Sequence, residues 1–128
     1  MFIDASVIVA ILLREGDHAD LIRRIENTSS RQSSVVALFE AVLSVSKRFG
    51  IDTGCDAVER LVESFEIDIL SVDASLLQPL AAAHARYGKG TGHPAKLNMG
   101  DCYSYAFAKR GGMPLLYEGD DFARTDLA

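Results

Sequence analysis

The sequence predicts an α/β fold, a parallel sheet flanked by helices, on three observations. Short apolar runs rich in branched residues alternate with stretches of helical periodicity, the pattern of strand–helix–strand crossovers. Acids follow both the first run, at Asp4, and the last, at Asp120 and Asp121, and sites in such sheets gather at the carboxyl ends of strands. The chain has 128 residues and is 48% hydrophobic, which suits a single domain over 1–128, since domains most often run about 100–150 residues.

Taken in order, Met1 to Asp4 reads as a short buried strand ending in an acid. Ser6 is placed to cap a helix from Val7 to about Leu13, because a serine hydroxyl can satisfy free amides of a first turn. Arg14 to Gly16 is a turn. Asp17 to Glu26 spaces Ala19, Leu21, Ile22 and Ile25 as a helix does. Asn27 to Ser34 is small and polar, a loop or a short strand. Val35 to Phe49 is a strong helix, with Val36, Phe39, Val42, Leu43 and Phe49 mostly along one stripe and Gly50 as its stop.

A further helix is expected from about Gly54 to Phe65, with Ala57, Leu61, Val62 and Phe65 inward. Ile67 to Leu70 reads as a strand, Ala74 to Tyr87 as a helix, and Gly88 to Asn98 as a loop holding Lys89, His93 and Lys96 but no acid. Helix returns from Gly100 to Arg110. Met113 to Tyr117 is the last strand, and Gly119 to Phe122 is a turn.

Composition excludes several classes. Cys55 and Cys102 are not spaced as a zinc site, and two scattered cysteines suit a reducing, cytoplasmic setting. The opening apolar stretch carries an acid at position 4 and no leading basic residues, unlike a signal peptide. No apolar run approaches the about 20 residues of a membrane helix. The net charge of −5 argues against a nucleic-acid partner, unless the acids are concentrated where cations neutralise them.

The acids do stand in unusual places. Asp4 ends an apolar strand, Glu40 follows Val35 to Phe39 in the most apolar part of its helix, and Asp101 opens a helix after Leu97 to Gly100. An isolated buried carboxylate is costly, so acids recurring at strand ends and inner helix faces call for a shared partner. Hard oxygen ligands suit Mg²⁺ or Mn²⁺, which can polarise a phosphoryl oxygen and activate a water. Ser6 would add a hydroxyl beside Asp4. Each acid also has a structural reading: Asp4 as a strand-end cap, Asp101 as a charge favoured at a helix N-terminus, Asp120 and Asp121 as turn residues. Asp17, Asp20 and Asp126 read as solvated charges. His18 and His84 read as surface residues, and His93 as a loop residue.

The same residues resemble a known family. Phe2-Ile3-Asp4-Ala5-Ser6 resembles the opening of PIN-domain proteins, Glu40 after Val36 to Phe39 resembles their second acid, and Asn98 to Ala106 with Asp101 resembles their third. Leu115 to Phe122 resembles the segment carrying the fourth, where members often have Thr or Ser, then Asn or Asp, before Asp-Phe; here Tyr117, Glu118 and Gly119 occupy the start of that stretch, Asp120 stands in the place of the Asn or Asp, and Asp121 precedes Phe122. Both Asp120 and Asp121 are carried, with Asp121 placed first. Length and order resemble the VapC-type toxins of bacterial toxin–antitoxin pairs.

The resemblance implies a three-layer α/β/α sandwich and a Mg²⁺- or Mn²⁺-dependent endoribonuclease acting on tRNA or rRNA. Asp4, Glu40, Asp101 and Asp121 would hold the metal. It also implies a homodimer and a VapB-type antitoxin, whose C-terminal segment covers the acidic groove and whose N-terminal part binds DNA. Arg86, Lys89 and Lys96 are then candidate contacts to the RNA backbone. Two rivals stand beside this reading: a phosphatase forming an aspartyl-phosphate on Asp4, and a non-enzymatic dimer that uses its acids to bind a partner. The first lacks an expected second acid, since position 6 holds Ser6.

Overall fold

Phe2 and Ile3 are both fully buried, yet they belong to different cores. Successive strand side chains point to opposite faces of a sheet, so a two-residue strand between two helical layers must be apolar at both positions. Leu115 and Leu116 repeat this: Leu115 packs with Phe2, and Leu116 with Ile3.

The computed structural model describes residues 1–128. Its elements are β1 (Phe2–Ile3), α1 (Ala5–Leu13), α2 (His18–Glu26), β2 (Gln32–Ser34), α3 (Val35–Phe49), α4 (Ile51–Ser64), β3 (Asp68–Leu70), α5 (Leu77–Tyr87), α6 (Met99–Gly111) and β4 (Leu115–Leu116). A 3₁₀ turn at Ala74–Leu76 leads into α5. The four strands are parallel, in the order β3-β2-β1-β4. Phe2 pairs with Gln32 on one side and with Leu115 on the other. The core on one face draws on α1 to α4, and the other on α5 and α6, giving the expected three layers. No helix is long and apolar enough to cross a membrane.

The chain proceeds from β1 through β2 to β3, then returns to the other side of β1 as β4. The connections leaving β1 and β4 therefore diverge, and a crevice opens at the carboxyl ends of these two strands. Asp4 follows β1 directly, and Glu118 to Asp121 follow β4.

Several expectations need correction. Asp4, not Ser6, caps α1, which begins at Ala5: the Asp4 carboxylate accepts the Ser6 N–H. Helix α3 has the predicted limits, but its buried face is Ala37, Ala41, Val42 and Val45. Phe39, Leu43 and Phe49 of the predicted stripe are exposed, as is Val35. Small residues let α3 pack closely on α1 and α4, and periodicity alone does not say which of two apolar faces is the core. Helix α4 starts three residues before the predicted Gly54. A Cβ at Gly54 would lie 3.2 Å from the Ser46 backbone nitrogen, so this glycine serves the approach of α4 to α3 rather than a helix start. The fully buried residues of α4 are Gly54, Val58 and Leu61, while the predicted Val62 and Phe65 are partly buried against the same core.

The Gly88–Asn98 loop is tied down. Leu97 N–H donates to the Tyr87 carbonyl and Lys89 N–H to the Leu97 carbonyl, each at 2.9 Å. His93 packs edge-on against Tyr87, and its Nδ1 accepts the Ala95 N–H at 3.0 Å. His18 is partly buried rather than a surface residue. Neither Asp20 nor Asp126 is merely solvated: Asp20 pairs with Arg23, and Asp126 is the centre of a cationic cluster.

Candidate active site

Asp4 is held from two directions. It is 6% exposed, and its Oδ2 accepts the Ser6 N–H at 3.0 Å and the Ser6 hydroxyl at 2.6 Å. Its Oδ1 accepts the hydroxyl of Ser104, a buried residue of α6, at 2.6 Å. Ser6 in turn accepts the Glu118 N–H at 3.0 Å, which joins the end of β1 to the segment after β4. Strand-end cap and site residue are thus one role for Asp4: the bonds that start α1 also fix the carboxylate.

Asp101 shows the same economy. It is buried in the first turn of α6, in a capping box with Asn98. The Asn98 side chain accepts the Asp101 N–H at 2.8 Å, and Asp101 Oδ2 accepts the Asn98 N–H at 3.0 Å. This pattern satisfies free amides of the first turn and orients the carboxylate. Burial pushes its pKa up to about 6, against the Asn98 N–H, which lowers it; Asp121 and Asp4 raise it further.

Glu40 reaches the same space from α3. Burial pushes its carboxyl up to about 7, with Asp4 and then Asp101 adding repulsion. Together these acids line a cleft of about 450 Å³ with Glu15, Glu118 and Asp121. Its wall holds six carboxylates and no Lys, Arg or His. Coupled, perturbed acids in a cleft are a mark of functional sites.

The cleft receives Asp4, Ser6, Glu40, Asp101 and Asp121, but not Asp120. It receives none of Arg86, Lys89 and Lys96. Arg86 instead contacts Asp126 at 3.4 Å and stacks over Tyr87. Lys89 lines a neighbouring apolar cavity with Leu77 and Met99, which shares Asn98 with the cleft. Lys96 is exposed on the loop.

Sequence reasoning did not single out Ser104, Glu15 or Glu118 as site residues. Ser104 had a usable signal, since it lies three residues after Asp101 and so on the same helix face. Glu15 had none. It comes to the cleft because Arg14 ends α1 in a left-handed conformation.

The donor set fits a hard divalent cation: carboxylate oxygens, partly desolvated, facing no cation of the protein. As the side chains stand, no three of them are gathered closely enough to hold an ion. No hydrogen bond is among the influences on the Glu40 carboxyl; burial and its acidic neighbours are.

The family model described as PIN domain matches residues 1–127. Ribonuclease VapC42 of Mycobacterium tuberculosis is 38% identical over 127 residues, covering 99% of this chain and 96% of that one. A VapC ribonuclease of Rhizobium meliloti is 36% identical over 139 residues, covering 98% of each. The crystal structure of Mycobacterium tuberculosis VapC20, a Sarcin-Ricin loop cleaving toxin, shares the fold with a TM-score of 0.76 at 18% identity, over 95% of this chain and 92% of that one. With its acids gathered at the divergence of β1 and β4, and with these relatives matching end to end, the chain belongs to the PIN-domain family, alongside the VapC ribonucleases.

Proposed function

We propose that the chain, acting as one domain over residues 1–128, is a Mg²⁺- or Mn²⁺-dependent endoribonuclease and the toxin of a toxin–antitoxin pair. The observation that carries this reading is a cleft of six carboxylates without a basic residue, two of them held toward the neutral form. A polyanion such as RNA is repelled by that wall unless a cation lies between them. Asp4, Glu40, Asp101 and Asp121 would hold the ion, which supplies polarisation of the scissile phosphate and a water activated near neutral pH.

The chain's own residues prepare this chemistry. Ser6 and Ser104 fix both oxygens of Asp4, and the capping box fixes Asp101. Glu40 enters the same cleft from α3, partly desolvated. A structured RNA, tRNA or rRNA, is the substrate this reading assigns, with a VapB-type antitoxin as the controlling partner in the cytoplasm. Lys89 and Lys96 are proposed to contact RNA outside the cleft.

The reading includes a homodimer. Val35, Phe39 and Leu43 of α3 and Met99 of α6 are exposed, with Met99 at 80%, and all four line one apolar cavity beside Glu40. Exposed apolar surface of this kind suits a protein contact. Light scattering should return twice the monomer mass, and Phe39→Glu should halve it; a wild-type monomer at micromolar concentration would exclude the dimer.

The decisive experiment is incubation of antitoxin-free protein with total cellular RNA, in Mg²⁺ or Mn²⁺ and in EDTA. Discrete fragments should form only with the metal, and be lost in Asp4→Ala and Asp101→Asn. Intact RNA throughout, with no Mn²⁺ uptake in calorimetry, would sink the proposal and favour a binding module.

A further inference from the structure

We infer that Gly100 is a positioning residue for Glu40, because the side chain missing at 100 leaves the seat that the Glu40 carboxylate occupies. A Cβ at this position would lie 1.7 Å from Glu40 Oε1, 2.4 Å from its Cδ and 2.7 Å from Oε2. All three separations lie well inside van der Waals contact, so the carboxylate as it stands and any side chain at 100 are mutually exclusive.

The backbone gives no other reason for glycine here. Gly100 lies in the first turn of α6 and is not among the residues with a positive φ. Alanine is the better helix former at such a position, so glycine is retained there against local propensity. Gly16 makes a useful contrast. A Cβ there would approach Glu118 Oε1 to 2.3 Å, but Gly16 has φ +54°, which favours glycine whatever stands nearby. Only at Gly100 is close approach to a site carboxylate the sole demand.

The seat also explains how two helices are brought into register. Asp101 is fixed by the capping box of α6, while Glu40 belongs to α3 and takes no hydrogen bond that would locate its carboxyl. Contact with the residue beside Asp101 sets Glu40 relative to Asp101 by shape. A methyl group at 100 would meet the far end of a flexible side chain, so Glu40 swings away and the helices stay in place.

This inference rests on the metal-nuclease reading, and its signature is a pair of effects of opposite sign. Gly100→Ala should melt at or above the wild-type temperature, while Mn²⁺ affinity by calorimetry and RNA cleavage each fall by about 10–100-fold, as for loss of a group that orients a ligand. In a Glu40→Ala background the same change should produce no further loss of Mn²⁺ affinity. In the wild-type protein, an NMR cross-relaxation peak should join the Glu40 γ protons to the Gly100 α protons. Unchanged Mn²⁺ affinity and cleavage in Gly100→Ala would overturn the inference, as would a further loss in the Glu40→Ala background. A wild-type protein that cleaves RNA and binds Mn²⁺ without that peak would overturn the seat alone. A wild-type protein that does neither would overturn the nuclease reading, and the role of the seat with it.

Discussion

Helix α6 serves two carboxylate clusters that the protein treats in opposite ways. Its first turn gives Asp101 to the cleft, where the wall offers six acids and no cation. Its later turns give Tyr105 and Lys109 to Asp126, which accepts the Tyr105 hydroxyl at 2.8 Å and also contacts Lys109 and Arg86. The Lys109 and Tyr105 hydrogen bonds pull the Asp126 carboxyl down to about 2, whereas burial and like charges push Glu40 to about 7. The Asp126 N–H donates to the Tyr87 hydroxyl at 3.2 Å, so this cluster fastens the C-terminal turn to α5 and α6. Where an acid holds the fold together, the chain supplies its cations. Where acids gather in the cleft, the chain supplies none.

The largest effect should come from breaking the acidic end. Asp4→Ala or Asp101→Asn should lower RNA cleavage by roughly 10³-fold, the several kcal/mol that a bound metal contributes to the transition state. Asp101→Asn keeps an oxygen for the Asn98 N–H, so its melting temperature should change little. A stable variant with undiminished cleavage would remove Asp101 from the site.

Ser104→Ala tests the support behind Asp4. It removes one hydroxyl from a carboxylate that keeps its Ser6 bonds. Mn²⁺ affinity should fall by about 10–100-fold, measured by calorimetry. Ser104→Thr, which keeps the hydroxyl, should recover part of it if the added methyl group is accommodated.

The two clusters should also give pH dependences of opposite sign. Glu40 and Asp101 have folded pKa values, about 7 and about 6, above their ordinary 4.5 and 3.8. The folded state then binds more protons than the unfolded one, so metal-free stability should fall as pH rises from about 4 to 7, by on the order of 2 kcal/mol after allowance for solvent screening. Denaturant melts with and without Mn²⁺ should show the fall only without metal, and Glu40→Gln should lessen it. A flat profile for the metal-free wild type would show that the cleft carries no electrostatic strain.

Asp126 runs the other way. Its folded pKa lies below its ordinary 3.8, so its contribution is full above pH about 4 and is lost as pH falls toward 2. Asp126→Asn should lower stability at pH 7 by about 1 kcal/mol, since the cluster is partly solvated, and leave RNA cleavage unchanged. Loss of cleavage without loss of stability would mean that this cluster, and not only the cleft, belongs to the working surface.

Much of this was legible in the chain itself. Asp4, Glu40 and Asp101 stood out because each interrupts an apolar context, and the strand–helix alternation placed Asp4 and the acids after the last strand at one end of the sheet. The limits of α3 followed from its periodicity and from Gly50. Its inward face did not, because Phe39 and Leu43 are as apolar as Val42 and Val45, and which of them is buried depends on how closely α1 and α4 approach. Asp126 looked solvated because its partners, Lys109, Tyr105 and Arg86, are 17, 21 and 40 residues away.

The sequence by itself determined the layers, the sheet direction and three of the acids that line the cleft, because periodicity and the penalty for burying charge are local properties of a chain. Tertiary structure alone decided that β4 lies beside β1, that Asp121 rather than Asp120 lines the cleft, and that Ser104 and Gly100 attend Asp4 and Glu40. Those are distances between residues up to 100 positions apart, and no local preference encodes a distance across the fold.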